Sequence, residues 1–457
     1  MTLPAYEVGR DDRALAEEYP FGDLFLETYG GMSEERLREI QEERFRRVLG
    51  VAWQTPFYRR LWAKAGLRPD DIRSLADIEN LPVFDKSDIM SDVAEHPPFG
   101  SLAVRLDKPI RPQVLQTTSG TTGDPQPVLW GARAREIQNA LLGRVFQWLG
   151  VNENDIVHSV YGHGLVNGGH YVREAVVRYT NALMLSAGTG TETRSERQVA
   201  IMAQFRVTVL AGFADYLRRL AEVALAAGYV PGEDIPARML IGQIPTGSRE
   251  VIEQAWPGAK AFDWYGVADT GVLASEGPDR EGQYLWEDAN FIELLDADSH
   301  QPVTKGEIGS IVVTSFSRDD VGPLIRFDTH DLTRILSGAN FFDLPFQRIA
   351  GLLGRSDQMV KLRGINVYPT AVAALISEIK GTTGEYYCRL ERGPEGADQM
   401  VVVIEASVGQ LEDRDVADKL SATLGVKVRA EIVEPGTTAE VTGVNSRQKP
   451  QRLSDLR

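Results

Sequence analysis

The stretch QVLQTTSGTTGDPQPVL, Gln113–Leu129, is an apolar run cut in the middle by Thr117–Pro125, TTSGTTGDP. Hydrophobes entering and leaving a turn of glycine and hydroxyl residues read as strand, loop, strand. A loop so rich in backbone N–H and hydroxyl donors is equipped to hold phosphate oxygens. It is not a Walker A loop, because Asp124 stands where the Lys-Ser/Thr pair would be; taken alone it reads first as a polar surface loop. Downstream, short strands (Asp155–Val160, Ala182–Leu185, Thr208–Ala211, Arg238–Ile241, Lys260–Trp264) alternate with helical stretches (Gln198–Gln204, Ala214–Ala227, Arg249–Ala255). That alternation predicts an α/β fold with a mostly parallel sheet and crossover helices.

Outward from this centre the pattern changes. The first hundred residues read as charged helices, with apolar residues at helical spacing in Glu34–Leu49. Between 280 and 335 the spacing shortens to strands at Gln283–Trp286, Phe291–Leu295, Gly309–Thr314 and Leu332–Leu336. The last hundred residues read as a small α+β unit. It has a helix at Thr370–Lys380, strands at Tyr386–Glu391 and Met400–Ala406, a helix at Asp413–Leu424 and a strand at Val426–Val433. The tail Asn445–Arg457, NSRQKPQRLSDLR, reads by itself as a frayed basic end.

Composition removes whole classes of function. With 65 acidic and 49 basic residues the formal charge is −16, which argues against a nucleic-acid partner. The single cysteine, Cys388, allows no intrachain disulfide and no cysteine-built metal centre. The opening MTLPAYEVGRDDRALAEEYP has neither a basic n-region nor an apolar h-region, and no apolar run approaches the ~18 residues of a membrane span. The expectation is a soluble, cytoplasmic protein with no membrane partner.

Three further motifs stand out. Phe262–Gly271, FDWYGVADTG, reads alone as a strand end with a satisfied aspartate. Pro323–Thr333, PLIRFDTHDLT, sets Arg326, Asp328, His330 and Asp331 among hydrophobes, where charges pair with each other or meet a ligand. Gly354–Pro369, GRSDQMVKLRGINVYP, opens the small C-terminal unit. In this order and at these separations the motifs resemble the adenylate-forming superfamily, and within it the phenylacetate–coenzyme A ligase family. Members have SSGTTGKPT-like, YGLSE-like, PLIRYRTRDLT-like and GRSDDMLIIRGVNVFP-like segments at the corresponding places. Tyr161–Gly169, YGHGLVNGG, is similar to a YGYGLFTGG-like segment, and Gln448–Arg457 is similar to a GKAxRVxDxR-like tail.

The resemblance implies a large adenylation domain of mixed and parallel sheets with helices, residues 1–354, and a mobile C-terminal domain, residues 355–457. It implies an acid–thiol ligase that uses ATP, Mg²⁺ and coenzyme A on an aromatic or arylalkyl carboxylic acid. Thr117, Thr118, Ser119, Gly120, Thr121, Thr122 and Gly123 would hold the outer phosphates. Asp263 would accept from the adenine amino group, with Trp264, Gly266 and Gly242 beside it and Tyr265 stacked on the base. Asp331 would take the ribose hydroxyls and Arg355 would lie near ribose and phosphate. Asp269 would help hold Mg²⁺, and Lys449 would bridge the substrate carboxylate and the α-phosphate. Asp357 is the hinge, and Gly364 admits the pantetheine arm. Tyr161, His163, Gly164, Leu165, Ile241 and Tyr265 would line the acid pocket, with His163 either bonding a polar substituent or satisfied by its neighbours. Members of the family are often homodimers, and the same is open here.

The chain also departs from the pattern. Asp124 replaces a loop lysine, reversing an interaction of ~4 kcal/mol at ~4 Å. Asp269 replaces a glutamate, Ile244 removes a carboxylate, and Asp328 and His330 replace two arginines, so that surplus acid is expected to reach into the site. Ser337–Arg348, SGANFFDLPFQR, has no Cys or His where some members carry a zinc-type cluster, leaving Mg²⁺ as the expected metal. Two other readings stay open: transfer of the acyl group to an amine or a carrier-protein thiol, and a non-catalytic nucleotide-binding relative.

Overall fold

The helices start where the sequence supplies caps. Ser33 Oγ accepts from Arg36 N (3.1 Å) ahead of Glu34, and Asp85 Oδ1 accepts from Ser87 N (2.7 Å) and Asp88 N (3.2 Å) ahead of Lys86. The computed structural model describes residues 11–107, 112, 114–118, 125–244, 247–338, 341–362, 365–369, 372–377, 379–393, 398–407, 411–444 and 451–457. In chain order it has α1 (Asp12–Glu18), α2 (Asp23–Tyr29), α3 (Glu34–Ala52), α4 (Pro56–Lys64) and α5 (Lys86–Glu95). The hairpin β1 (Val114–Thr117) and β2 (Pro127–Trp130) follows, then α6 (Ala132–Trp148), β3 (Ile156–Ser159), α7 (Gly168–Tyr179) and β4 (Leu183–Ser186). Next come α8 (Ser195–Phe205), β5 (Val209–Phe213), α9 (Ala214–Ala226), β6 (Met239–Gln243), α10 (Arg249–Ala255) and β7 (Lys260–Val267). Then come β8 (Gly271–Glu276), β9 (Gln283–Leu285), β10 (Asn290–Leu295), β11 (Gly309–Ser315), β12 (Leu324–Thr333) and β13 (Arg348–Ile349). The chain ends in β14 (Gly354–Arg355), β15 (Val360–Leu362), β16 (Ile365–Val367), α11 (Val372–Ser377), β17 (Thr382–Arg392), β18 (Asp398–Ala406), α12 (Asp413–Leu424), β19 (Arg429–Val433), α13 (Ala439–Thr442) and β20 (Leu453–Asp455).

By packing, the chain divides into two units, the first reaching Ser186 and resuming at Phe262–Ala350, the second formed by Ala187–Ala261 with Gly351–Arg457. In the first unit β3 and β4 pair in parallel, while β7–β8–β9–β13 and β10–β11–β12 are antiparallel ladders. The N-terminal helices bury Phe45 and Trp62, and the segment before α5 buries Phe84, against Leu324 and Phe327 of β12. In the second unit β5 and β6 pair in parallel, Gly212 opposite Gly242. There β19–β18–β17–β20 is a sheet whose centre is antiparallel and whose two edges are parallel. Its core holds Cys388 fully buried, with burial pushing the thiol up to about 12, so it is a packing residue rather than a nucleophile.

Two expectations are corrected, and one helix has no counterpart among them. The tail is not frayed from Gln451 on: β20 pairs with β17 (Cys388 opposite Leu453), and Cys388 N donates to Arg452 O at 2.8 Å. An open edge of β17 has backbone groups that the tail satisfies. The strand expected at Leu332–Leu336 instead ends at Thr333, the last residue of β12. The sequence reading also missed α6, because α6 buries Arg135, Glu136, Gln138, Asn139 and Arg144 along with its hydrophobes, so polarity marks no face. Among the described residues no helix is long and apolar enough to cross a membrane.

Candidate functional site

The hairpin of β7 and β8 carries the residues expected to hold a nucleotide. Its register shifts between Tyr265 and Gly266, and a Cβ on Gly266 would lie 2.3 Å from Gly271 O, so only glycine passes there. Tyr265 is buried, and its hydroxyl donates to Asp331 Oδ2 (2.8 Å) beside Thr329 Oγ1 (3.3 Å), joining motifs 66 residues apart. Asp263 is oriented at both ends: its N–H donates to Glu276 Oε2 (2.8 Å), and its Oδ2 accepts from Gln283 Nε2 (2.5 Å). Trp264 is buried within ring distance of Tyr161 and Tyr171.

The turn after β7 presents Asp269, whose Oδ1 accepts from Gln126 Nε2 at 2.5 Å. Burial pushes this carboxyl above its ordinary range, while Arg318, Gln126 and Lys86 pull it back. Arg318 is itself buried. It donates to the backbone carbonyls of Asp269 (2.7 Å), Leu129 (2.7 Å) and Gly322 (2.5 Å), lies over the Trp130 ring at 4.3 Å, and is pushed down to about 10 by burial. Lys86, the first residue of α5, reaches Thr118 Oγ1 at 3.3 Å. A small cleft here has Ile89, Phe99 and Leu324 as apolar walls and Gln126, Asp269 and Arg318 as polar ones. No group of three or more metal-type ligands occurs among the described residues. A lone buried carboxylate still fits Mg²⁺, an ion usually held by one or two carboxylates together with phosphates and water.

Strand β12 has two faces. Thr329 and Asp331 face Tyr265, whereas Asp328 and His330 face the other way. Asp328 Oδ1 accepts from Ser310 Oγ (2.6 Å) and His330 N (2.8 Å), and the His330 ring lies between Asp328 Oδ2 (3.5 Å) and Asp85 Oδ2 (3.0 Å). His330 first, and Ser87 and Asp88 behind it, hold Asp85 well below the usual carboxylate range against the effect of burial. The expectation that the acid at 328 reaches into the site is therefore corrected: strand alternation turns it away from Tyr265 and onto a histidine.

The segment Tyr161–Gly169 is fixed by its backbone. Gly169 N donates to Gly162 O (3.1 Å), and a Cβ there would meet that oxygen at 2.5 Å. Tyr161 is buried, the His163 and His170 rings meet edge-on at 5.4 Å, and His170 Nε2 lies 3.1 Å from Gly164 O. Leu165 O accepts from Thr117 N at 2.9 Å, tying this segment to the start of the phosphate-type loop. Its side chain is 71% exposed, so in this conformation Leu165 contributes an anchor and not an apolar wall.

In the second unit Ile241 and Gly242 lie on β6, with Ile241 and the following Ile244 buried. Arg355, expected near the nucleotide, and Asp357, expected as hinge, pair with each other: Nε to Oδ1 at 2.9 Å and Nη2 to Oδ2 at 2.7 Å. Ser119, Gly120, Thr121, Thr122, Gly123, Asp124, Gly364 and Lys449 lie outside the described residues. The sequence reading missed Lys86, Gln126, Gln283 and Arg318. Only Lys86 had a local signal, the capping box Asp85–Asp88 that marks a helix start.

Known proteins resemble this chain over most of its length. Residues 364–457 match the AMP-binding enzyme C-terminal domain family. The phenylacetate–coenzyme A ligase of Thermus thermophilus is 29% identical over 451 residues, 93% of this chain and 97% of that protein. The 2-hydroxyisobutyryl-CoA ligase in the postadenylation state, in complex with 2-HIB-AMP, aligns with a TM-score of 0.82 at 26% identity, covering 94% of this chain and 91% of that one. The same ligase with 2-HIB-AMP and CoA in the thioesterification state gives 0.67 at 27% identity, covering 93% and 91%. On these matches and on the motifs that they span, the chain is similar over nearly its whole length to the phenylacetate–coenzyme A ligases, and its C-terminal part carries the AMP-binding enzyme C-terminal domain.

Proposed function

We propose that the chain joins an aryl or arylalkyl carboxylic acid to coenzyme A in two half-reactions. Its relatives support the coarser statement, an AMP-forming acid–coenzyme A ligase that uses ATP and passes through an acyl-adenylate. In the first half-reaction a carboxylate oxygen attacks the α-phosphorus, the α–β bridge breaks and pyrophosphate leaves. In the second the coenzyme A sulfur attacks the acyl carbon and AMP leaves. The observation that carries the reading is the Tyr265–Asp331 hydrogen bond of 2.8 Å, a carboxylate held ready for a diol beside a buried ring face. Asp263, held by Gln283, takes the adenine amino group. Thr117 to Gly123 hold the outer phosphates, and Lys86 supplies the cation that Asp124 does not. Lys449 bridges the carboxylate and α-phosphate where charge develops. Asp269 holds Mg²⁺, which when bound offsets phosphate charge. Gly364 admits coenzyme A as residues 355–457 turn about Asp357.

Acid-dependent ATP–pyrophosphate exchange over a panel of aryl, arylalkyl and small aliphatic acids tests this. Exchange with aryl acids and thioester only on adding coenzyme A is the expected result. Silence across the panel would leave the non-catalytic reading. Transfer to an amine or a carrier-protein thiol in the absence of coenzyme A would favour the other acceptor. A second reading of the acid, a small branched hydroxy acid, is favoured by the 0.82 match to a 2-hydroxyisobutyryl-CoA ligase. Exchange with 2-hydroxyisobutyrate but not phenylacetate would establish it.

A further inference from the structure

Four charged side chains in the second unit join the C-terminal sheet to α9. Arg452 is anchored on that sheet by its own backbone, since Cys388 N donates to Arg452 O (2.8 Å) and Leu453 begins β20. Its Nη1 donates to Tyr386 O (2.7 Å) and Glu385 Oε2 (2.9 Å), and its guanidinium lies 4.7 Å from the Tyr386 ring centre. One contact leaves the sheet: Nη2 donates to Asp215 Oδ2 on α9 at 3.0 Å. Glu385 mirrors this, using Oε1 to accept from Arg218 Nη2, also on α9, at 3.0 Å. Asp215 and Arg218 are three residues apart, so they share a helix face and present opposite charges to the opposite charges of Arg452 and Glu385.

We propose that Asp215, Arg218, Glu385 and Arg452 form a reversible clasp that positions the tail for acyl-adenylate formation and must open before the thioester step. The inference rests on the reading of Lys449 given above, three residues before Arg452. Location is the first argument: the clasp fixes the anchored residue of the tail to the helix that follows β5, the strand paired with Gly242-bearing β6. Its partial exposure is the second. Glu385 and Arg452 keep 8% and 12% of their side chains exposed, but Asp215 and Arg218 keep 37% and 22%, so water can take over the α9 side when the contact parts. The third is that a 26–27% identical ligase matches this chain at 0.82 in a postadenylation state and at 0.67 in a thioesterification state, so such a chain adopts at least two arrangements.

The test separates the half-reactions in the full-length protein, with phenylacetate and 2-hydroxyisobutyrate and their adenylates as probes. In Asp215→Ala/Arg218→Ala, exchange is expected to fall about tenfold, while thioester formation from supplied adenylate and coenzyme A is unchanged or faster. Asp215→Glu, which keeps the charge, is expected to retain exchange, and salt should lower exchange in the parent chain more than in the double variant. Loss of both half-reactions together, loss of thioester formation alone, or no change in either would overturn the clasp. Lys449→Ala is the separate arm. If it keeps exchange, the tail-lysine reading fails; if it loses exchange while the double variant does not, only the clasp fails.

Discussion

Two charge clusters in this protein have similar chemistry and opposite character. Around Asp288, Arg144 donates from Nη1 to Oδ1 (3.0 Å) and from Nη2 to Oδ2 (2.8 Å), Tyr29 OH adds a third bond (3.0 Å), and both charged side chains are 0% exposed. Arg144 Nε donates to Pro20 O (2.8 Å), and its guanidinium packs over Phe25 and Trp286 at 4.8 and 5.1 Å. Burial alone would raise Asp288, but Arg144 and Arg44 outweigh it and hold the carboxyl below its usual range. The Asp215–Arg452–Glu385–Arg218 cluster has fewer bonds per charge and open water on one side. Removing a partner from the first strands a charge with nothing to solvate it, while removing one from the second leaves water to do so. The first cluster is scaffold. The second has the strength of a contact that can be exchanged.

Arg144→Met should therefore have the largest effect, a loss of ~3–5 kcal/mol in stability, measured by urea or thermal unfolding. Arg144→Met/Asp288→Leu should recover much of that loss, since a buried pair replaced by packing hydrophobes is often neutral. A single variant that melts like the parent would show that the buried cluster is no scaffold at all.

Beside that cluster, Glu287 sharpens the comparison, because it is a buried carboxyl with no cation paired to it among the described residues. Burial pushes it up to about 7, against hydrogen bonds from Gln347 N and Nε2. Between the ordinary carboxylate range and about 7 the folded chain binds a proton that the unfolded chain releases. Stability from this group is thus greatest at acid pH, falls as pH rises through that window and is flat above it. Glu287→Gln should remove the slope and gain ~1–3 kcal/mol at pH 8, read as the difference between the two unfolding profiles. Parallel profiles would mean that Glu287 is ionised in the fold.

Among the working charges, Lys86→Ala should raise the Michaelis constant for ATP by about ten- to a hundredfold, ~1.4–2.8 kcal/mol, with little change in unfolding. An unchanged constant would place Lys86 away from the phosphates. Lys86 also shows where reading the sequence stops. The helix bounds at Arg249–Ala255 and Asp413–Leu424 were legible from periodicity and end signals, while Asp263, Tyr265, Asp269 and Asp331 stand out only through the family resemblance of their motifs. Lys86 meets Thr118 across 32 residues and Gln126 meets Asp269 across 143, and such contacts leave no trace in a local window. The two faces of β12 were legible in principle, because strand alternation alone separates Asp328 from Asp331. The run Pro323–Thr333 shows charges alternating with hydrophobes, but a strand expected at Leu332–Leu336 in place of Leu324–Thr333 leaves its two faces unseparated.

Asp357 gives the smallest expected change in stability and the finest cut between the two kinds of charge. Its pair with Arg355 is bidentate, at 2.9 and 2.7 Å, but the two side chains keep 33% and 43% exposure. Pairs this exposed contribute ~0–1 kcal/mol, so Asp357→Ala should leave unfolding within about that range. If Asp357 is scaffold, both half-reactions should then stay as they are. If it is a hinge, freeing Arg355 and the backbone around it should change the ratio of exchange to thioester formation several-fold at constant stability. A ratio that moves without a melting shift puts Asp357 with Arg452 among the exchangeable charges; a ratio that stays fixed leaves it an ordinary surface pair.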